Sequence, residues 1–156
     1  EREADRLSAE GVRMRFIGDG GPLARPLRRL RAEIEARTEA NSRLNLTVAI
    51  NYGGRNEILR AARNLAARAA TGGIDPAAID ETAFGAALDT AGLPDPDLVI
   101  RTSGEMRVSN FLLWQAAYAE YVFSPTLWPD FDRAALAEIL SRYGTRERRF
   151  GGAVAR

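Results

Sequence analysis

The chain has 156 residues, 46% apolar and 28% charged, with a formal net charge of +1, a balance that suits one globular domain and offers no global field to attract nucleic acid. It holds no cysteine and no histidine, and all 22 basic residues are arginine. Disulfides, histidine triads, the usual zinc sites, Schiff-base lysines and the lysine-bearing phosphate loop are therefore excluded. What remains is carboxylate chemistry, with arginine, hydroxyl and backbone N–H groups to hold anions, and this leans towards phosphate chemistry. No apolar run approaches the ~18 residues of a membrane span, and no signal peptide is visible. The first residue is Glu1 rather than methionine, which points to a processed or partial chain.

Val12–Ile17 ("VRMRFI") alternates apolar and basic residues, the period of a half-buried strand. "GDGGP" stops it. Leu23, Leu27, Leu30 and Ile34 recur at helical spacing with charged residues opposite, and this helix is expected to fade in "TEANSR". Leu46–Ile50 ("LTVAI") is a short β-rich run, expected to be buried on both faces, and "NYGGR" closes it. From Asn56, the residues Ile58, Ala62, Leu65 and Ala69 form a second helical stripe, ended by "TGG" at 71–73. Ile74–Leu93 holds weaker helix, interrupted by Gly85. "PDPD" at 94–97 is a stiff turn, and Leu98–Ile100 is a third strand. Phe111–Tyr118 fits either a buried strand or a helical turn; Tyr121–Phe123 fits a strand. Phe111, Leu112, Leu113, Tyr118, Phe123 and Trp128 are expected in the core. Asp130 in "WPDF" is expected to cap a last helix carrying Leu136, Ile139, Leu140 and Tyr143. "RERRFGGAVAR" is a basic tail. This alternation predicts an α/β fold with a mainly parallel central sheet flanked by helices. In such folds ligands sit beyond the carboxyl ends of the strands, which singles out the loops after Ile17, Ile50 and Ile100.

"GDGG" is read as a plain turn ahead of an anion-binding one. In "NYGGR" two glycines permit a close backbone approach. Arg55 then opens a helix, where a ligand anion could sit as readily as the turn could be only a turn. Neither stretch has a dinucleotide or phosphate-loop glycine pattern. "RTSGEMRVSN" is the strongest candidate. Arg101 stands at the predicted strand end, Thr102–Gly104 can turn with exposed N–H groups, and Arg107 and Ser109 are two apart, so they face one way if extended. Two guanidinium forks and a hydroxyl suit a diphosphate; the competing reading pairs both arginines with Glu105 and Asp97 at the surface. Glu120 falls among aromatic residues, where a carboxylate needs a partner, either Mg2+ or a salt bridge. The tail arginines are either disordered or part of an anion site.

Together, "NYGGR", "PDPDLVIRTSGEMRVSNFLLWQAAYAEYVF", "LWPDF" and "RERRFGG" appear in the order and spacing of the cis-prenyltransferases. The sequence resembles that family from about residue 11 to 152, most specifically from Asp95 to Phe131. The resemblance implies a mainly parallel sheet surrounded by helices, a homodimer, and a Mg2+-dependent transferase that adds isopentenyl diphosphate to an allylic diphosphate such as farnesyl diphosphate, each new double bond being Z. It further implies that the product is a membrane lipid precursor, undecaprenyl diphosphate for cell-wall synthesis, made in the cytoplasm or at the inner face of the membrane. Carried over by position, Arg101, Arg107 and Ser109 would bind the isopentenyl diphosphate. Glu120 would be a magnesium ligand. Arg149 and Gly151, the family's C-terminal Arg-x-Gly, would reach the same site across the dimer. The family's Asp-Gly-Asn-x-Arg-Trp motif, which supplies the catalytic aspartate and the allylic diphosphate loop, is absent from this sequence. Residues 1–156 are thus expected to be a single domain, the C-terminal roughly two-thirds of such a protein, with 152–156 a tail, and to be inactive alone. Met106 stands where many relatives carry histidine or glutamine. Two other functions are compatible with the residues: a non-catalytic subunit of a prenyltransferase pair, and an unrelated α/β diphosphate-binding domain.

Overall fold

The computed structural model describes residues 2–145. They form two compact units, one of residues 2–95 and 109–117, the other of 96–108 and 118–145.

The first unit opens with α1 (Arg2–Ala9), β1 (Val12–Ile17), α2 (Arg25–Thr38) and β2 (Leu44–Ala49). α1 has no counterpart among the predicted elements; of its eight residues only Ala4 is buried, with Leu7 packed against the core. β1 and β2 pair in parallel, Val12 with Leu44 through Ile17 with Ala49, and α2 makes the crossover that a parallel pair requires. Proline in the first turn of α2 costs no hydrogen bond there. Its inward residues join those of α1 and β1 in a core of Ala4, Val12, Met14 and Ile34, with Leu7, Phe16, Leu30 and Leu46 packed against it.

The outer edge of β1 is closed by side chains. The Met14 N–H donates to Thr38 Oγ1, the Phe16 N–H to Glu35 Oε1 and the Gly18 N–H to Asp89 Oδ2, at 3.0, 2.7 and 3.0 Å. Thr38 is fully buried and its hydroxyl also donates to the Ile34 carbonyl. No residue of β2 is buried, contrary to the expectation of a strand covered on both faces. Among the described residues β2 has β1 as its one strand neighbour, so half its surroundings are not strand.

α3 (Gly54–Ala70) follows, then a 3₁₀ turn at Pro76–Ala78 and the short α4 (Glu81–Gly85), which ends at the glycine where the sequence weakens. The buried face of α3 is Gly54, Glu57, Ala61 and Leu65. The predicted stripe through Ile58 and Ala62 is rotated from it, because a glutamate with three partners occupies the inward position. The 111–118 segment is not a strand but a run of turns, in which the Ala116 N–H donates to the Leu112 carbonyl at 2.9 Å, the helical-turn alternative. Left-handed residues at 109, 110 and 112 keep rotating its outward face, so Gln115 and Ala116 are buried while Phe111, Leu112 and Leu113 are not.

The second unit holds β3 (Leu98–Arg101), β4 (Glu120–Phe123), a 3₁₀ turn at Trp128–Asp130 and α5 (Arg133–Gly144). β3 and β4 are again parallel, Leu98 opposite Glu120 and Arg101 opposite Phe123. Phe123 is half-buried within β4. Tyr118 is 96% and Trp128 73% exposed, so neither belongs to the core; Trp128 instead stacks on Phe131 at the surface. The cap of α5 is Asp132, whose carboxylate accepts from the Ala135 N–H at 2.8 Å. Asp130 ends the 3₁₀ turn, two residues too early to cap the helix. Of the apolar stripe on α5, Ile139 alone is buried. Both strand pairs are parallel and both units carry helices, the α/β class expected.

Candidate functional site

The segment after β3 is a turn, but its Ser103 and Gly104 N–H groups are taken up by the chain itself, contrary to the expectation of exposed donors. The Ser103 N–H donates to the Thr126 carbonyl and the Gly104 N–H to that of Ser124, at 2.8 and 2.9 Å. Ser103 and Gly104 both have positive φ, 67° and 68°, which reverses the chain within two residues. One Arg101 nitrogen donates to the Arg107 carbonyl oxygen at 2.5 Å, closing a six-residue loop. Arg107 pairs with Glu105, so the surface ion pair weighed from sequence exists for this arginine, with Glu105 as its partner. Arg101 is half-buried and Arg107 exposed. Met106 points away from any packing, 78% exposed.

Glu120 is half-buried at the start of β4, its N–H donating to the Asp97 carbonyl. The parallel register sets Glu120 opposite Leu98, three steps from Arg101, or about 10 Å along the strand. The guanidinium is therefore at the carboxyl end of this strand pair and the carboxylate at the amino end. Among the described residues no group of three acidic side chains could hold a metal ion. A single carboxylate is still compatible with magnesium in a diphosphate site, since Mg2+ usually takes one or two carboxylates and completes its shell with phosphate oxygens and water. Arg149 and Gly151 lie outside the described residues.

Ser109 belongs to the first unit, where its φ is 51°. The next residue, Asn110, resolves the question raised by "NYGGR". Its carbonyl accepts from the Gly54 N–H at 2.7 Å and its Oδ1 from the Arg55 N–H at 2.8 Å. The first two donors of α3 are thus taken by the chain itself rather than left for a ligand anion. The close approach is likewise internal. A Cβ on Gly53 would stand 2.7 Å from Asn110 Nδ2, and one on Gly54 2.9 Å from Leu113 Cγ. "GDGG" is a plain turn, with Asp19 Oδ1 accepting from the Gly21 N–H. The loops after β1 and β2 are tied together, the Asn51 amide donating to the Asp19 carbonyl at 2.9 Å.

Beneath those two loops lies a polar network that periodicity missed. Glu57 is 1% exposed. Its carboxylate accepts from the Tyr52 hydroxyl at 2.5 Å, the Asp89 N–H at 2.8 Å and Gln115 Nε2 at 3.1 Å. Asp89 in turn accepts both guanidinium arms of Arg60, at 3.0 and 2.7 Å. Burial and the adjacent Glu57 carboxylate push the Tyr52 hydroxyl well above the ordinary tyrosine range. The Asp89 carboxylate holds the Arg60 guanidinium still more firmly in its charged form.

The geometry can be set beside known proteins. The family profile described as "Putative undecaprenyl diphosphate synthase" matches residues 1–151. Isoprenyl transferase 2 of Bradyrhizobium diazoefficiens is 54% identical over 150 residues, covering 96% of this chain and 60% of that protein. The ditrans,polycis-undecaprenyl-diphosphate synthase ((2E,6E)-farnesyl-diphosphate specific) of Xanthomonas axonopodis pv. citri is 51% identical over 151 residues, covering 97% of this chain and 59% of its own. The crystal structure of lavandulyl diphosphate synthase from Lavandula x intermedia, in complex with dimethylallyl diphosphate, matches with a TM-score of 0.91 at 38% identity, covering 96% of this chain and 64% of that one. The chain therefore spans about three-fifths of the length of the curated relatives it matches. With the profile running through nearly every residue, the chain belongs to the undecaprenyl diphosphate synthase family of prenyltransferases.

Proposed function

We propose that the protein carrying these residues condenses isopentenyl diphosphate with an allylic diphosphate, farnesyl diphosphate in the first round, to build a long-chain Z-polyprenyl diphosphate. The observation that supports it most directly is the turn after β3, where Arg101 is locked onto the backbone of Arg107 at a strand's carboxyl end. Two guanidinium groups within one closed loop suit a ligand bearing several anionic oxygens. Family membership and the farnesyl-specific name of the Xanthomonas relative favour the isoprenoid choice over other diphosphates. The product is undecaprenyl diphosphate, the lipid carrier precursor of cell-wall synthesis.

In this reaction the isopentenyl double bond attacks the allylic carbon, the allylic C–O bond breaks with the diphosphate leaving, and a proton is lost as the new double bond forms. Arg101, Arg107 and Ser109 hold the diphosphate of the attacking molecule and fix its alkene in reach, a positioning effect worth several kcal/mol in comparable reactions. Arg149 and Gly151 complete this grip from the partner copy of a homodimer. Magnesium, when bound, neutralises diphosphate charge; Glu120 is the carboxylate of this chain that would hold it. The protein acts in the cytoplasm or at the inner membrane face, where its product partitions. No helix among the described residues is long and apolar enough to cross a membrane.

The test is Arg107→Ala in the full-length protein. The KM for isopentenyl diphosphate should rise at least about tenfold, the equivalent of one charge-assisted hydrogen-bond pair. Binding of farnesyl diphosphate should change little. Equal loss for both substrates would remove the assignment.

A further inference from the structure

We propose that Asn110 is the positioning residue for Ser109, holding it in place by capping α3 from a distance in sequence. The inference rests on the reading that Ser109 contacts the isopentenyl diphosphate.

Five non-glycine residues among those described have positive φ, and three of them lie within 109–112: Ser109 at 51°, Asn110 at 64° and Leu112 at 46°. Side chains crowd the backbone in this region, most of all for a branched residue such as leucine. Such a run persists where its surroundings over-determine it. Here the restraint can be named. Asn110 gives its carbonyl to the Gly54 N–H and its side-chain oxygen to the Arg55 N–H. Two bonds from one residue to consecutive amides fix both its position and its orientation. Asparagine also suits the task twice over, as a residue that tolerates left-handed backbone and as a favoured acceptor for helix N-terminal amides.

The glycines complete the device. Any side chain at Gly53 would meet Asn110 Nδ2 at 2.7 Å, and one at Gly54 would meet Leu113 Cγ at 2.9 Å and its backbone N at 3.1 Å. "GG" in "NYGGR" is thus the socket, and "SN" the plug. Because Ser109 and Asn110 are consecutive and both left-handed, the direction of the Ser109 side chain follows from where Asn110 is seated. α3 itself is rigidly placed through the buried Glu57, which binds Tyr52, Asp89 and Gln115. The hydroxyl is therefore referenced to a helix and its buried polar network, not to the surface loop that carries it.

Asn110→Gly in the full-length protein separates this role from backbone preference, since glycine keeps the left-handed conformation and deletes the side-chain bond. The KM for isopentenyl diphosphate should rise about tenfold, with that for the allylic diphosphate within about twofold, because small misplacements of a positioning group cost rate steeply. Gly53→Ala, which crowds Asn110 from the opposite side, should move the same constant in the same direction. Ser109→Ala is measured in parallel. If Ser109→Ala raises that KM while Asn110→Gly and Gly53→Ala lower only the melting temperature, Asn110 is a structural cap and the inference is overturned. If Ser109→Ala also leaves the KM unchanged, the reading of Ser109 as a substrate contact fails, and the inference with it.

Discussion

Tyr52 and Glu57 share the shortest side-chain contact of the buried network, and its chemistry makes a pH-dependent contribution to stability. The carboxylate has three donors, which is what allows a charge to sit 1% exposed beside an apolar core. The Tyr52 hydroxyl is held protonated, first by burial and then by the neighbouring negative charge. A tyrosine whose folded-state value lies above its unfolded value of about 10 stabilises fully below that pH, and the contribution disappears as pH climbs beyond it. Tyr52→Phe should therefore cost about 2 kcal/mol at neutral pH, the scale of a hydrogen bond to a charged group. Urea denaturation from pH 8 to 11 should show the wild type losing stability above about pH 10 more steeply than the variant. Parallel curves would remove Tyr52 as the source. None of this was legible in sequence, because Glu57 looks like any solvent-facing helix glutamate and its donors come from positions 52, 89 and 115. Arg101 and Arg107 were legible for the opposite reason: their spacing lies within one short loop.

At the scale of elements, what could be read depended on whether the deciding contacts were local. β1, α2, β3, β4 and α5 announce themselves by period and by punctuating glycine or proline, and their boundaries fall within a few residues of expectation. The 111–118 run defeats any periodic rule, since its turns are set by the distant α3 amides that Asn110 caps. The start of α5 is an intermediate case. "WPDFD" contains two aspartates, and the proline-led 3₁₀ turn at Trp128–Asp130 uses up the first before the helix begins. Asp132 is the cap. Asp132→Ala should lower stability by about 1 kcal/mol, while Asp130→Ala should stay within about 0.5 kcal/mol of wild type. Chemical denaturation of the two variants distinguishes them directly, and a larger loss for Asp130→Ala would reverse the assignment.

For the whole molecule, the family was legible from one long stretch, Asp95 to Phe131, whose combination of residues is far more specific than any periodicity. Which edge of the first strand pair lies open was not. The outer edge of β1 is sealed by Thr38, Glu35 and Asp89, which leaves β2 as the open edge of that pair among the described residues. In the second unit Tyr118 and Trp128 are exposed, aromatic types enriched at protein interfaces. A homodimer that covers Trp128 predicts that Trp128→Ser weakens self-association by about thirtyfold or more, the scale of an interface hot spot. Sedimentation equilibrium on both proteins measures it, and unchanged association would place the interface elsewhere. The cap on α3 is also a long-range contact. Its acceptor lies 55 residues downstream of the amide it satisfies, so closing the first turn of this helix carries the entropy cost of a long loop, and the segment bearing Ser109 owes its shape to a partner far away in sequence.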